Sequence, residues 1–285
     1  MPKTAVIENI SDTARWVAVF RAQESARPDA LFRDPFAGRL AGSRGEQIAE
    51  SLRYVSRHSW SMVTRTHLMD ELLMQQIAQG VDMVVNLAAG LDTRPYRMAL
   101  PESLTWVEVD LPEILTYKEV MLAGEKPKCR LERVKLDLAD GEARRALFRR
   151  LGGESAKAVV ICEGLLVYLT PEQVGTLAND LAEVRTFQSW IIDLASPALL
   201  RMLQKKVGKE LQKGNSVMKF APEKGADHFL EFGWKPVRVQ SMLHSAARLK
   251  RLPWSLRLFS FFPEPTGPPG SRPWSGVCLL ESLRS

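Results

Sequence analysis

The chain of 285 residues has few cysteines, no long hydrophobic run and no tract of one charge. Its three cysteines, Cys129, Cys162 and Cys278, lie far apart without metal-ligand spacing, which excludes a disulfide scaffold and predicts reduced thiols and no bound metal. No stretch approaches the roughly 18 apolar residues of a membrane span. The first residues, MPKTAVIENISDTARW, lack the apolar run of a signal peptide. We therefore expect a cytoplasmic protein with no membrane partner.

The net charge of +6 and the pI near 9.3 do not by themselves indicate a nucleic-acid partner. Lys and Arg are scattered in ones and twos among Asp and Glu, which is typical of a solvated basic surface and argues against nucleic acid. With 45% hydrophobic and 25% charged residues, the composition is that of an ordinary globular protein. The sequence gives no indication of the oligomeric state.

Short apolar runs rich in β-branched and aromatic residues recur through the centre of the chain. They predict strands at Met83–Leu87, Thr105–Val109, Val159–Cys162 and Trp190–Leu194. Helical patterns lie between them, at Leu111–Leu122, Glu142–Leu151 and Thr170–Val184. The last helix opens with a capping box of Thr170 and Gln173. This alternation predicts an α/β fold with a doubly wound, mostly parallel sheet.

Two flanking regions complete the predicted single domain. Apolar residues at helical spacing, including Val17, Phe20 and Leu68, predict a helical leader over residues 1–80, before a core over residues 81–195. Residues 196–285 are expected to form insertions on the substrate side. They contain a polar helical segment (Pro197–Phe232), strands at Val237–Met242 and Val277–Glu281, and a proline-rich loop (Pro263–Pro273).

The ends of the first two predicted strands indicate where a ligand binds. In an open parallel sheet, ligands bind beyond the carboxyl ends of the strands. The first strand runs from Asn86 into small residues up to Gly90, and Asp92 or Thr93 is expected to cap the following helix. Asp110 ends the second strand 20 residues after Gly90, the spacing at which a carboxylate binds ribose hydroxyls. Together these features predict a ligand that contains adenosine.

Two adenosine ligands, a nicotinamide dinucleotide and S-adenosylmethionine, fit this geometry. A pyrophosphate requires bare backbone donors and a third glycine at the helix start. Here the carboxylate of Asp92 stands near that start, and Thr93 replaces the glycine. S-adenosylmethionine has no phosphate, and carboxylates such as Glu163 favour its ammonium and sulfonium cations. These residues therefore favour the methyl donor.

Four ordered segments carry a resemblance to a known family: VVNLAAGLDTRPYR, WVEVDLPEILTYK, LERVKLDLAD and ICEGLLVYLTPEQV. With the leader SDTARWVAVFRAQESARPDALFRDPFAGRLAG and the segment VTRTHLMDELL, the chain resembles the leucine carboxyl methyltransferase family, including its bacterial O-methyltransferases linked to polyketide-type metabolism. The resemblance covers nearly the whole chain and weakens after about Ala195. It implies a Rossmann-like methyltransferase with a seven-stranded sheet, with S-adenosylmethionine as cofactor.

The resemblance also implies which residues contact the cofactor: Arg65 (methionine carboxylate), Ala88 and Gly90 (methionine and ribose), Asp110 with the adjacent Leu111 (ribose hydroxyls), Asp137 and Leu138 (adenine) and Glu163 (the junction with the substrate). Three of these residues have a structural alternative: Arg65 as a solvated surface arginine, Asp110 as a helix cap and Asp137 as a turn residue. Tyr168 either contacts the substrate or packs as an aromatic side chain beside Leu166 and Leu169.

Methyl transfer from a sulfonium needs alignment and exclusion of water, without a covalent intermediate. We expect the acceptor to be a carboxyl or hydroxyl oxygen of a small molecule. A carboxylate is already ionised, whereas a hydroxyl needs a base. The candidate bases are the histidines His58, His67, His228 and His244. Two alternatives remain open: a protein C-terminus as acceptor, or an RNA-binding or regulatory protein that retains a nucleoside pocket.

Aromatic residues of the leader and the insertions are candidates for the acceptor pocket: Trp16, Phe20, Phe220, Phe229, Trp254, Phe259, Phe261 and Phe262. We expect one or both of the segments Pro197–Phe232 and Leu243–Trp274 to cover that pocket. The alternative is that these aromatics only pack the insertions onto the sheet.

Overall fold

The computed structural model describes residues 10–51, 59–213, 217–261 and 272–284. These ranges contain seven strands: β1 (Met83–Leu87), β2 (Thr105–Asp110), β3 (Arg130–Lys135), β4 (Ala158–Cys162), β5 (Phe187–Ala195), β6 (Trp234–Ser241) and β7 (Ser275–Ser282). They form one sheet in the order β3-β2-β1-β4-β5-β7-β6. The strands β1 to β5 are parallel, and β7 runs antiparallel between β5 and β6. The predicted seven-stranded, mostly parallel sheet is confirmed.

The described helices flank this sheet: α1 (Ile10–Ser25), α2 (Ala37–Ser51), α3 (Ser59–Ala78), α4 (Arg94–Arg97), α5 (Pro112–Met121), α6 (Gly141–Glu154), α7 (Pro171–Ala182), α8 (Pro197–Lys213) and α9 (Met242–Arg248). Short 3₁₀ helices lie at Leu166–Tyr168, Gly225–Phe232 and Trp254–Phe261. Within the described ranges, no helix has the length and apolar character needed to span a membrane.

The start of α7 shows how the local sequence sets an element boundary. Thr170 Oγ1 accepts a hydrogen bond from Gln173 N–H at 3.3 Å, and Gln173 Oε1 accepts one from Thr170 N–H at 2.8 Å. Pro171 occupies the first helical position, where its missing N–H is not needed. The predicted capping box is confirmed.

Each face of the sheet buries its own hydrophobic cluster. The leader helix α3 packs Leu68, Met69 and Leu72 against one face, where they meet Val84 of β1. On the other face, α6 and α7 pack against the opposite side chains of the same strands. Helices α1 and α2 form a third cluster with Leu91, which follows the turn after β1. The described part of the leader therefore packs on one face of the sheet and beside the turn after β1.

Several predicted boundaries are wrong; for example, the strand predicted at Trp190–Leu194 spans Phe187–Ala195. The strand predicted at Val237–Met242 spans Trp234–Ser241 instead, because Ser241 accepts a hydrogen bond from His244 N–H at 3.4 Å and caps α9. The segment predicted as helical from Pro197 to Phe232 contains a regular helix at Pro197–Lys213 and a 3₁₀ helix at Gly225–Phe232, with non-helical backbone over residues 217–224.

The strands predicted from apolar runs do not include β3. Its sequence, RLERVK, is mostly charged, and its residues are only partly buried.

The proline-rich loop cannot be compared with its prediction. Most of the loop Pro263–Pro273 lies outside the described residues, because these end at residue 261 and resume at 272.

Candidate functional site

A cleft of about 1630 Å³ opens at the carboxyl ends of the parallel strands. All nine residues predicted for the site line it: Arg65, Ala88, Gly90, Asp110, Leu111, Asp137, Leu138, Glu163 and Tyr168. Pockets for one small ligand usually measure about 300–1,000 Å³. The cleft therefore has room for two molecules side by side.

Asp110, the last residue of β2, joins the ends of β1 and β2. Its Oδ2 accepts a hydrogen bond from Gly90 N–H at 2.6 Å, and its Oδ1 accepts one from Leu111 N–H at 2.7 Å. Burial raises the pKa of Asp110, although both backbone donors act to lower it. Helix α5 begins at Pro112 with Leu111 as its N-cap and no side-chain cap, so Asp110 is not a helix cap.

The turn after β1 presents backbone to the cleft in the left-handed conformation. Ala88 and Gly90 have φ values of 53° and 48°. At the end of this turn, Asp92 accepts hydrogen bonds from Arg94 N–H at 2.8 Å and from Arg94 Nη1 at 2.7 Å. Asp92 thus caps the start of α4, where Thr93 makes no side-chain cap bond. Because Arg94 balances the charge of Asp92, this carboxylate repels a phosphate less than the sequence suggests.

Seven charged side chains form one network beside the cleft: Arg65, Asp70, Asp92, Arg94, Arg97, Glu163 and Asp193. Arg94 is at its centre and is only 1% exposed. It lies 2.6 Å from Asp70 Oδ1, 2.7 Å from Asp92 Oδ2 and 2.8 Å from Glu163 Oε2. Each charge in the network has an opposite partner, which buried ions require.

Glu163 directly follows β4 and is shared by two arginines. Its Oε1 accepts hydrogen bonds from Arg65 Nε and Thr66 Oγ1, both at 3.1 Å, while its Oε2 pairs with Arg94. Burial alone raises the pKa of Glu163, but Arg94 and Arg65 together lower it to about 2. The carboxylate is therefore ionised at neutral pH, and its charge is already balanced within the protein.

Arg65 lies on α3 and is buried, so it is not a solvated surface arginine. Its Nε donates to Glu163 and its Nη1 to Asp193 Oδ2, at 3.1 and 3.2 Å. The desolvation of burial lowers the pKa of Arg65, but the carboxylates of Asp193 and Glu163 raise it above its ordinary value. Among the described residues, Nη2 has no hydrogen-bond partner. Both N–H groups of Nη2 thus remain for a ligand.

Asp137 and Leu138 lie at the edge of the cleft, just after β3. The exposed carboxylate of Asp137 accepts a hydrogen bond from Ala139 N–H at 2.9 Å, and the carbonyl of Leu138 accepts one from Arg144. Asp137 therefore does make the turn contact that the sequence left as its alternative role. Its contact with adenine stays a prediction.

Tyr168 and one histidine are the further titratable groups considered for the acceptor side. Tyr168 lines the cleft beside the buried Leu166, and burial raises its pKa. His244 also lines the cleft, with its Nδ1 3.1 Å from Ser241 Oγ. Neither His67, which lies 3.5 Å from Glu71, nor His228, which lies 3.2 Å from Glu231, lines the cleft. The fourth candidate, His58, lies outside the described residues.

Described residues of both C-terminal segments line the cleft. The segment Pro197–Phe232 contributes Leu199, Met202, Leu203, Met218, Lys219 and Phe220, and the segment Leu243–Trp274 contributes Leu243, His244, Leu256, Phe259, Arg272, Pro273 and Trp274. We call these thirteen residues the roof. Its side chains are mainly apolar, which is typical of a site for an apolar molecule.

The predicted aromatics divide into three groups. Trp16, Phe220 and Phe259 line the cleft. Phe20 and Phe229 are buried in the core, whereas Trp254 and Phe261 are more than 80% exposed. Phe262 lies outside the described residues. Only part of this set therefore faces a ligand in the cleft.

Two charged residues of the network that line the cleft, Arg94 and Asp193, are not among the residues predicted from the sequence. One signal was available for Asp193, because a carboxylate inside the apolar run WIIDL needs a cationic partner when it is buried. For Arg94, in the segment DTRPYR, the sequence offers no comparable signal.

The sequence profile of the leucine carboxyl methyltransferase family matches residues 14–182, more than half of the chain. The chain belongs to this family. The matched range includes every residue predicted to contact the cofactor, and it ends before the roof begins.

Curated relatives carry names that agree with the predicted cofactor. A candidate S-adenosyl-L-methionine-dependent methyltransferase of Mycobacteroides abscessus is 35% identical over 191 residues, which are 62% of this chain and 62% of that protein. A candidate enzyme of the same description from Saccharopolyspora erythraea is 34% identical over 214 residues, 68% of this chain and 72% of that protein. The chain thus matches less than two thirds of the first relative's length.

Two solved structures support the fold. A DUF574 family protein from Streptomyces avermitilis has a TM-score of 0.60 at 14% identity, covering 95% of this chain and 97% of that chain. A candidate methyltransferase from Thermobifida fusca has the same TM-score at 15% identity, with 97% and 96% covered. At such low identity these likenesses concern the architecture alone.

Proposed function

We propose that this protein is an S-adenosylmethionine-dependent O-methyltransferase that acts on a carboxyl or hydroxyl oxygen of a small molecule. One observation carries the proposal. The eight residues that the resemblance assigns to the cofactor come from four strand ends and one helix, yet they line the same cleft. Family membership and the names of the relatives support the same cofactor. The proposal assigns cofactor binding mainly to residues 81–195 and acceptor recognition to residues 196–285.

The residues fit this cofactor chemically. Asp110 presents a carboxylate beside the left-handed backbone at Gly90, as a ribose diol requires. Arg65 keeps one guanidinium nitrogen for the methionine carboxylate, to which it can donate a charge-assisted hydrogen bond. The turn after β1 has Thr93 where a pyrophosphate site has its third glycine, which favours a ligand without phosphate.

The residues named above would hold S-adenosylmethionine, whose sulfonium would supply an electrophilic methyl group for transfer to the acceptor oxygen. The protein's part is to align the two molecules and to keep water out. The roof provides the apolar cover over the cleft. An ionised carboxylate acceptor needs no base, whereas for a hydroxyl acceptor His244 is the candidate base among the described residues of the cleft.

The acceptor class can be found with methyl-labelled S-adenosylmethionine and a cell extract. We expect label in the small-molecule fraction. Release of the label as methanol by mild alkali would identify a carboxyl methyl ester, and a stable label would identify an ether. An Asp110→Ala protein serves as the control for background labelling.

The same experiment discriminates the alternative functions. Label in protein would indicate a C-terminal carboxylate as acceptor. A protein that binds S-adenosylhomocysteine but labels no fraction, and that binds RNA with steep salt dependence, would contradict the enzyme and favour a regulatory role.

A further inference from the structure

Asp193 lies near the carboxyl end of β5 and contacts two parts of the cleft at once. Its Oδ1 accepts a hydrogen bond from Gly164 N–H at 2.6 Å, and its Oδ2 accepts one from Arg65 Nη1 at 3.2 Å. Its side chain is 15% exposed, and it lines the cleft. The carboxylate of Asp193 therefore links the backbone of Gly164, just after β4, to Arg65 on α3.

Arg65 is consequently held by two carboxylates from neighbouring strand ends. Glu163 binds its Nε and Asp193 binds its Nη1, so the plane of the guanidinium is fixed by contacts at two nitrogens. One counterion is enough to balance the charge of an arginine, so the second carboxylate contributes orientation. An arginine side chain carries about 2 kcal/mol of rotamer entropy, and holding it in one geometry before a ligand arrives favours binding.

Gly164 makes this arrangement possible. Its φ of 68° lies in the left-handed region, and a Cβ added there would stand 3.2 Å from Arg65 Nη1. The guanidinium thus lies directly over the backbone whose N–H Asp193 binds. A side chain at this position would move the guanidinium away from its carboxylates.

We propose that Asp193 is a positioning residue for the carboxylate end of the methyl donor, acting through Arg65. It fixes the guanidinium so that Nη2 faces the donor's carboxylate. This assignment rests on the proposed function. It predicts that Asp193 matters for ligands that have the amino-acid end and not for ligands that lack it.

Two ligands test this directly by calorimetry: S-adenosylhomocysteine, which has the amino-acid end, and 5′-methylthioadenosine, which lacks it. Asp193→Asn removes the charge and leaves one amide oxygen for two donors. We expect it to weaken S-adenosylhomocysteine binding about tenfold or more, and 5′-methylthioadenosine binding less than about threefold. The same change at the exposed Asp227 is the matched control and should affect neither ligand.

A second variant acts on the same arginine from the other side. Gly164→Ala places a methyl group against the guanidinium and should give the same selective loss, even if Asp193→Asn folds poorly. Adding Asp193→Asn to Arg65→Lys should then cost little more than Arg65→Lys alone, because both act through one group.

The contrary outcomes are distinct. If Asp193→Asn and Gly164→Ala weaken the binding of both ligands equally, Asp193 has a general structural role. If neither variant weakens the binding of either ligand, Asp193 has no role in binding. Either result overturns the assignment. If the parent protein binds neither ligand, the proposed function itself fails and the assignment fails with it.

Discussion

Replacing Glu163 with glutamine tests whether the buried charge network stabilises the fold. Each pKa unit is worth about 1.4 kcal/mol, so a fall in the pKa of Glu163 from 4.5 to about 2 corresponds to about 3 kcal/mol of stability at pH 7. Arg94 keeps Asp70 and Asp92 as partners, and Arg65 keeps Asp193. Glu163→Gln should therefore lower the free energy of unfolding by about 3 kcal/mol, the lower end of the cost of breaking a buried ion pair.

Urea unfolding followed by circular dichroism measures this difference. Glu102→Gln is the matched control, because Glu102 is exposed and the same change there should alter the free energy of unfolding by less than about 0.5 kcal/mol. A loss below about 1 kcal/mol for Glu163→Gln at pH 7 would refute the magnitude, since that is the value of a surface pair.

The pH dependence provides a second check on the same reasoning. The folded-state pKa of Glu163 is lower than that of the unfolded chain, so the carboxylate stabilises the protein fully above pH 4.5 and loses this effect as the pH falls towards about 2. The difference between the parent and Glu163→Gln should be constant from pH 8 to pH 6 and should narrow below pH 4.5. A difference that widens on acidification would mean that Glu163 does not act through its ionised form.

Three further predictions concern the ligand and the thiols. S-adenosylhomocysteine should raise the Tm more than NAD does in parallel thermal scans, because a ligand of the native state stabilises it by mass action; the reverse order would contradict the cofactor. Asp110→Ala should weaken S-adenosylhomocysteine binding by about 1–3 kcal/mol, the cost of unpaired polar groups, and an unchanged affinity by calorimetry would leave Asp110 only a link between strand ends. The thiols of Cys129, Cys162 and Cys278 should not react with a thiol reagent until urea is added, because all three are buried. Burial also raises the pKa of Cys162 to about 12. Rapid modification of the native protein would count against their burial.

Strands buried on both faces are the elements that the sequence predicts best. The bounds of β1 are confirmed residue for residue, because all five residues of MVVNL are buried and four are apolar. Strand β3, with the sequence RLERVK, has charged residues at most positions and is only partly buried. Its pattern resembles a surface segment, and its place in the sheet is decided by pairing with β2 instead of by its own apolar residues.

Site residues were predictable where the end of a strand fixes their position. Asp110 ends the buried strand β2 and Glu163 directly follows the buried strand β4, so the strand-end rule places both in the cleft. Arg94 and Asp193 gain their importance from partners far away in the chain. Arg94 meets Asp70, 24 residues earlier, and Asp193 meets Arg65, 128 residues earlier. Spacing along the sequence carries no information about such pairs.

The two halves of the cleft come from different parts of the chain, which explains why family membership does not name the acceptor. The strand ends that we propose for the cofactor lie within residues 14–182, the range that the family profile matches, whereas every roof residue follows Pro197. Acceptor choice depends on the shape and polarity of the groups that face it. Relatives can therefore share the first half and differ completely in the second. In this chain the roof side chains Leu199, Met202 and Phe220 favour an apolar acceptor, because burying apolar surface contributes about 25 cal/mol per Å².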